Sequence, residues 1–267
     1  MIIVPQGVLD GLIVALHIQF NHPTFSQLTQ IFDRYFYSIC SAATIKRITQ
    51  GCDLCNALIR MPNELKEQSS SALPTALGQK FSSDIIRRCK QKIFVTRELF
   101  SSFTSATIIP DETAASLRSA LLSTTAFLRQ PMCSVKVDGA TGFIPLKDDK
   151  ILRKHGIDIE VGRAKNPNKN PIVDKGIQEL EKEFLTAELD GQQLCQSSLD
   201  ICLHRLNAKI RHNGLSSKEI VTHRDQITGC NLNFQDKDLV EELQTYRSKN
   251  REYSSCLLYT SPSPRDS

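Results

Sequence analysis

KFSSDIIRRCKQKIFVTRELFSSFTSATII, residues 80–109, holds three short runs rich in β-branched and aromatic residues: KFSSDIIRR, KIFVTRE and FTSATII. Polar turns separate them, and such runs predict an antiparallel three-strand meander. Downstream the period changes. PDETAASLRSALLSTTAFLRQ (110–130) carries Leu117, Leu121 and Phe127 at helical spacing. CSVKVDGA (133–140) reads as a strand ending at Asp138, LKDDKILRKHG (146–156) as a short helix and DIEVGRA (158–164) as another strand. A long helix is expected from Asn170 to Leu189. A last one is expected over 194–212, with Leu199, Cys202, Leu206 and Ile210 on its core face.

Three strands, a helix, a strand, a helix, a strand and two helices specify an α/β core. This is the element order of the RNase H-like fold, a mixed five-stranded sheet with flanking helices.

Upstream, residues 8–60 read as helices. Pro23 and Thr24 open a segment whose Phe25, Leu28, Ile31, Phe32 and Tyr35 recur at helical spacing, and AATIKRITQ (42–50) leads into a cysteine pair. Here lie His17, His22, Cys52 and Cys55, in the pattern H-x4-H-x29-C-x2-C. Two imidazoles and two thiolates make a closed tetrahedral zinc site. The histidines lead, the reverse of most zinc fingers. They are expected at a helix end and turn, with the cysteines in a following loop or turn. A unit this small has a thin core, and a structural metal adds folding free energy that burial cannot.

The boundaries that follow are a helical zinc-binding unit over 1–60, a Pro- and Ser-rich linker over 61–78, the core over 79–213 and a charged helical extension over 214–255. CLLYTSPSPRDS (256–267) differs in character from what precedes it. It resembles a translated sequencing-adaptor tail and is not expected to belong to the fold.

The 267 residues are 40% apolar, enough for a real core. No run of about 18 apolar residues occurs, so no membrane span is expected. The first residues lack the basic region and cleavage site of a signal peptide. Nine cysteines without a secretion signal suggest reduced thiols. Cys40, Cys89, Cys133, Cys195, Cys202 and Cys230 show no pairing pattern and read as buried or indifferent. The net charge of +4 is mild, but basic residues gather in RRCKQK (87–92), GRAKNPNKNP (162–171) and HRLNAKIRH (204–212), where phosphates could be met.

Three acids stand out. Asp84 lies in the first strand of the meander, Asp138 closes the next strand after the first helix, and Asp174 lies near the start of the long helix. Thirty-five residues separate the last two. Val173, Ile177, Leu180 and Phe184 form the helix stripe facing the sheet. Carboxylates converging from two strands and a helix can hold a pair of Mg²⁺ or Mn²⁺ ions.

On these residues the chain resembles the integrase of a long-terminal-repeat retrotransposon, in the retroviral integrase superfamily. The resemblance spans about residues 8–230. It is carried by H-x4-H-x29-C-x2-C, the spaced acids, VDGATGF around Asp138 and NPNKNPIVDK around Asp174. It implies a segment of a Pol polyprotein that processes 3′ ends of element DNA and transfers them into target DNA. The reaction would need Mg²⁺ or Mn²⁺, a homo-oligomer and the nucleus, after cytoplasmic synthesis. Neither a membrane nor a small-molecule substrate is implied. Asp84, Asp138 and Asp174 would be the catalytic metal ligands, and His17, His22, Cys52 and Cys55 the zinc ligands. Lys165, Asn168, Lys169 and Asn170, in the loop before the helix, and Lys175, Gln178 and Lys182 on it, would meet DNA. One departure matters: the family has glutamate where this chain has Asp174. Aspartate is one methylene shorter, which moves the carboxylate by about 1.5 Å. The alternative reading is therefore a catalytically impaired, integrase-derived zinc- and DNA-binding protein. Glu179 and Glu181 are nearby substitutes, though neither has the family spacing. The small β-barrel domain common at the end of integrases is not visible.

Overall fold

The computed structural model of the chain describes residues 1–59, 74–139, 141–162, 170–187, 193–211, 214–235, 238–242 and 245. The first unit comprises β1 (Ile2–Ile3), α1 (Gln6–Gln19), α2 (Phe25–Tyr35), β2 (Phe36–Tyr37), α3 (Ser41–Gln50) and α4 (Asp53–Ile59). Leu9, Ile13 and Leu16 form one stripe of α1. They pack against Leu28, Ile31 and Phe32 of α2 and Ile45 of α3. Thr24 starts α2 through a capping box with Gln27. The parallel pairing of β1 with β2, Ile2 opposite Phe36, has no counterpart in the expected helices.

The second unit follows the predicted order: β3 (Lys80–Arg88), β4 (Gln91–Glu98), β5 (Thr104–Ile109), α5 (Ala114–Thr125), β6 (Cys133–Val137), a 3-10 turn at Ile144–Asp148, α6 (Lys150–Lys154), β7 (Ile157–Val161), α7 (Pro171–Thr186), α8 (Gln196–Ala208) and α9 (Ser217–Thr222). The five-stranded sheet has the order β5-β4-β3-β6-β7, antiparallel on the β5 side and parallel on the β7 side. Helices cover both faces. Phe94, Val135, Val137 and Ile159 face α5, with Leu117 and Leu121. Ile93, Val95 and Ala106 face α7 and α8, with Val173, Leu180, Leu199 and Cys202. Alternation along β4 thus feeds two cores from one strand. On the β5 edge, Asn207 Oδ1 accepts from the Thr104 N–H and its Nδ2 donates to the Thr104 carbonyl, both at 2.8 Å. This occupies edge groups that would otherwise template another strand.

Three expectations change. Phe127 does not pack with Leu117 and Leu121: α5 ends at Thr125, and Phe127 is 73% exposed. Ile210 leaves the face of Leu199 and Cys202 because α8 ends at Ala208, and it joins the core of the first unit instead. In the segment expected as a charged helical extension, the described residues are helical at Ser217–Thr222 and 238–242, and 223–235 between them are not. Ile220 of α9, Phe234 and Leu239 pack on Phe100, and Asp225 anchors a turn through the Ile227 and Thr228 amides. Most of the linker, the end of the long helix at Leu189 and the tail 256–267 lie outside the described residues.

The two units touch through polar side chains. Arg34 donates to Glu219 at 2.7 Å and to the Gly214 carbonyl at 2.7 Å, while the Tyr35 hydroxyl donates to Asp225. Gln27 donates to the Ile210 carbonyl at 2.6 Å, and Asn21 to Glu183 at 2.6 Å.

The start of β7 depends on Gly156. Its φ is +71°, and a Cβ there would lie 1.7 Å from the Pro131 carbonyl oxygen. Gly156→Ala is expected to cost about 3 kcal/mol, read as a lower urea midpoint by circular dichroism.

Candidate functional site

His17 and His22 are brought together by the way α1 ends. The His22 N–H donates to the His17 carbonyl at 2.9 Å and the Asn21 N–H to the Ile18 carbonyl at 3.0 Å, with Asn21 and His22 at φ 55° and 57°. This is a Schellman termination with asparagine in the left-handed position. It folds the chain back so that the two rings meet edge to face, their centroids 4.7 Å apart. Cys52 directly precedes α4 and Cys55 sits in its first turn, so the second cysteine is helical instead of in a loop.

The four ligand atoms lie within 4.8 Å of one another. His22 Nδ1 is 3.1 Å from His17 Nε2 and 3.2 Å from Cys52 Sγ, and Cys55 Sγ is 3.4 Å from His17 Nε2. A tetrahedron with zinc bond lengths has edges of about 3.3–3.8 Å, so the donors fit a zinc ion in number, type and spacing. Burial, then His22, lowers the His17 pKa. Burial, then the Lys209 ammonium, lowers that of His22. Both effects favour the neutral imidazole that ligates metal. Burial, then Cys52 beside it, pushes the Cys55 thiol up to about 12, so filling the site releases a proton. Among the described residues this is the one cluster of three or more such side chains suited to a metal ion.

The acids come together by strand register. β3 and β6 run parallel with Ser82 opposite Lys136 and Ser83 opposite Val137. Val135 and Val137 face α5, so alternation turns Lys136 and Asp138 toward α7. The same rule puts Ser82 and Asp84 on that side. Asp174 is in the first turn of α7. Its carboxyl is pushed up to about 6 by burial, then by the charges of Asp84 and Asp138, which places Asp174 in the field of both. Asp84 and Asp138 each accept from the next backbone amide, Ile85 at 2.7 Å and Gly139 at 2.5 Å. The three side chains offer hard oxygen donors of the kind divalent cations take.

The expected DNA contacts divide. Lys165, Asn168 and Lys169 lie outside the described residues. Lys175, Gln178 and Lys182 are half-buried on α7. Asn170 is only 3% exposed, and its amide is occupied by Ser82, Ser83 and Lys136. Glu179 and Glu181 do not replace the third acid. Against the cost of burial, Arg211 and Arg97 hold Glu179 below the carboxylate range, and Arg97 Nη1 donates to it at 2.8 Å. Glu181 is exposed. Described members of the basic clusters have partners within the chain. Arg87 pairs bidentately with Glu112, Arg88 lies 4.8 Å over the Phe184 ring, and Lys209 pairs with the fully buried Glu183. Sequence reading missed these partners. The one available signal was an asparagine directly before a helix-opening proline at Asn170.

No protein-family model and no curated protein matches this sequence. Solved structures do. The catalytic core domain of BIV integrase aligns at 23% identity and TM-score 0.46, covering 55% of this chain and 95% of that one. A simian T-cell lymphotropic virus intasome, solved in complex with PP2A regulatory subunit B56 gamma, aligns at 16% identity and TM-score 0.52. That match covers 84% of this chain and 78% of the other. The chain has the fold of an integrase.

Asp174 holds its proton more tightly in the folded chain than in the unfolded one. Its folded value, about 6, exceeds the usual 3.8, so the native state binds more protons between the two and loses stability as pH rises through that window. Without divalent cations, Asp174→Asn is expected to exceed the parent's stability by about 1–2 kcal/mol near pH 7.5 after solvent screening. The gap closes toward about pH 4. Urea titrations across pH measure it.

Proposed function

We propose that this chain, which has the integrase fold, is the integrase of a long-terminal-repeat retrotransposon. Its substrates are element-end DNA and target DNA. It trims element 3′ ends and joins them to the target, acting in the nucleus as a homo-oligomer. The observation that carries the reading is the convergence of Asp84, Asp138 and Asp174, from two strands and a helix, behind a His₂Cys₂ unit.

His17, His22, Cys52 and Cys55 would hold zinc, which supplies folding free energy to the first unit. Asp84, Asp138 and Asp174 would hold Mg²⁺ or Mn²⁺. Bound there, divalent cations supply activation of the attacking oxygen and charge neutralisation at the phosphate. The chain's own contribution is placement. Parallel register sets Asp84 beside Asp138, and α7 brings Asp174 over them. Lys175 and Lys182 lie on the same helix, where ammonium groups attract a phosphate backbone.

A second reading has its own support. Asp174 is shorter than the family's glutamate, and Arg97 and Arg211 hold Glu179 away. A catalytically impaired zinc- and DNA-binding protein would keep the scaffold and lose joining.

Strand joining by the full chain, with labelled element-end DNA and Mg²⁺ or Mn²⁺, separates the readings. The expected result is joining that Asp84→Asn reduces at least ~100-fold. Joining seen only after Asp174→Glu would favour the impaired reading, and joining indifferent to Asp84→Asn would overturn the active site. The chain is also expected to purify with a single zinc ion that Cys55→Ser loses, with faster proteolysis of residues 1–59. Metal analysis and limited proteolysis check both.

A further inference from the structure

The polar interior beneath the acid triad converges on one side chain. Asn170 is 3% exposed and directly precedes α7. Its Nδ2 donates to the Ser83 carbonyl of β3 at 3.2 Å and to the Lys136 carbonyl of β6 at 3.3 Å. Its Oδ1 accepts from the Ser82 hydroxyl. Its backbone carbonyl accepts the Asp174 N–H at 3.1 Å.

These partners have a common location. Ser82 and Lys136 are opposite one another in the β3–β6 register, and each lies two residues before an acid on its strand. The Asn170 amide therefore spans the two strands one step below Asp84 and Asp138, while its main chain fixes the turn that carries Asp174. Its side chain does not cap α7, although it occupies the capping position. A residue kept there for helix stability alone would direct its oxygen at the free amides of the first turn. This one directs its side chain across to the sheet.

We infer that Asn170 is the positioning residue of the acid triad, a three-way clamp that holds β3, β6 and α7 at the spacing the divalent cations require. The inference rests on the proposed reading of Asp84, Asp138 and Asp174 as metal ligands. A buried amide linking backbone carbonyls of two strands resists shear between them. Replacing it with a methyl group leaves those carbonyls short of a donor and lets the carboxylates drift. Groups that orient metal ligands without touching metal change affinity by about 10- to 100-fold.

The test is Mn²⁺ binding to the zinc-loaded full chain, followed by electron paramagnetic resonance of the free ion. Asp84→Asn comes first. If it leaves Mn²⁺ affinity unchanged, the triad is not the metal site and the underlying reading fails, whatever Asn170 does. If it abolishes binding, Asn170→Ala is expected to weaken Mn²⁺ about 10- to 100-fold with zinc content and far-ultraviolet circular dichroism unchanged. Parental affinity in a folded Asn170→Ala protein would overturn the inference. Should that variant not fold, Ser82→Ala and Ser82→Thr decide. Weakened binding with alanine and near-parental binding with threonine, which keeps the hydroxyl, supports the clamp. Equal, parental affinity in both overturns it.

Discussion

Parallel pairing of β3 with β6, with Ser82 opposite Lys136, sets which face of the sheet Asp84 and Asp138 occupy. Because side chains alternate along a strand, a register slip by one residue would send Asp84 or Asp138 into the apolar layer under α5. Burial of Phe81, Val135 and Val137 in that layer forbids the slip. The acids are thus held together by apolar residues on the opposite face of the sheet. Burial, and then the neighbouring Asp84 and Asp138 charges, disfavour an ionised Asp174, a cost that packing elsewhere offsets.

The same economy governs the positive charge. Arg97, 1% exposed, and Arg211 converge on Glu179 across the back of α7, and Gly176 makes room: a Cβ there would lie 2.9 Å from Arg97 Cδ. Lys209 and Asn21 share Glu183 further along the helix. Breaking such a buried pair leaves an uncompensated charge and is strongly destabilising. One face of α7 is therefore locked by ion pairs, and its first turn carries the third acid.

The first unit is joined to this helix at the turn that carries its histidine pair. Asn21, in the left-handed position that brings His17 to His22, is also the residue that reaches Glu183. Lys209 completes the link, since its charge is felt by both His22 and Cys55. The His/Cys cluster and the core thus meet through a few polar atoms, supplemented by Ile210 in the first unit's apolar core.

Much of this was legible in the chain itself. Period-two runs at 80–109 marked the meander, and the apolar stripe Val173, Ile177, Leu180 and Phe184 marked α7. The four donors of the His/Cys cluster could be read from spacing, because a helix end and a C-x2-C turn are local structures. Phe127 and Ile210 could not be assigned, since each lies just past a helix end where the period no longer says which way a side chain faces. Nor could the roles of Glu179, Glu183 and Asn170. Their partners lie 82, 162 and 88 residues away in sequence. Local patterning therefore determined the elements, their order and the ligand types. Which charges pair inward, and which polar residue spans the strands beneath the acids, was decided only by tertiary packing. Burial makes an unpaired polar group costly, and the partner that relieves it is chosen by proximity in space.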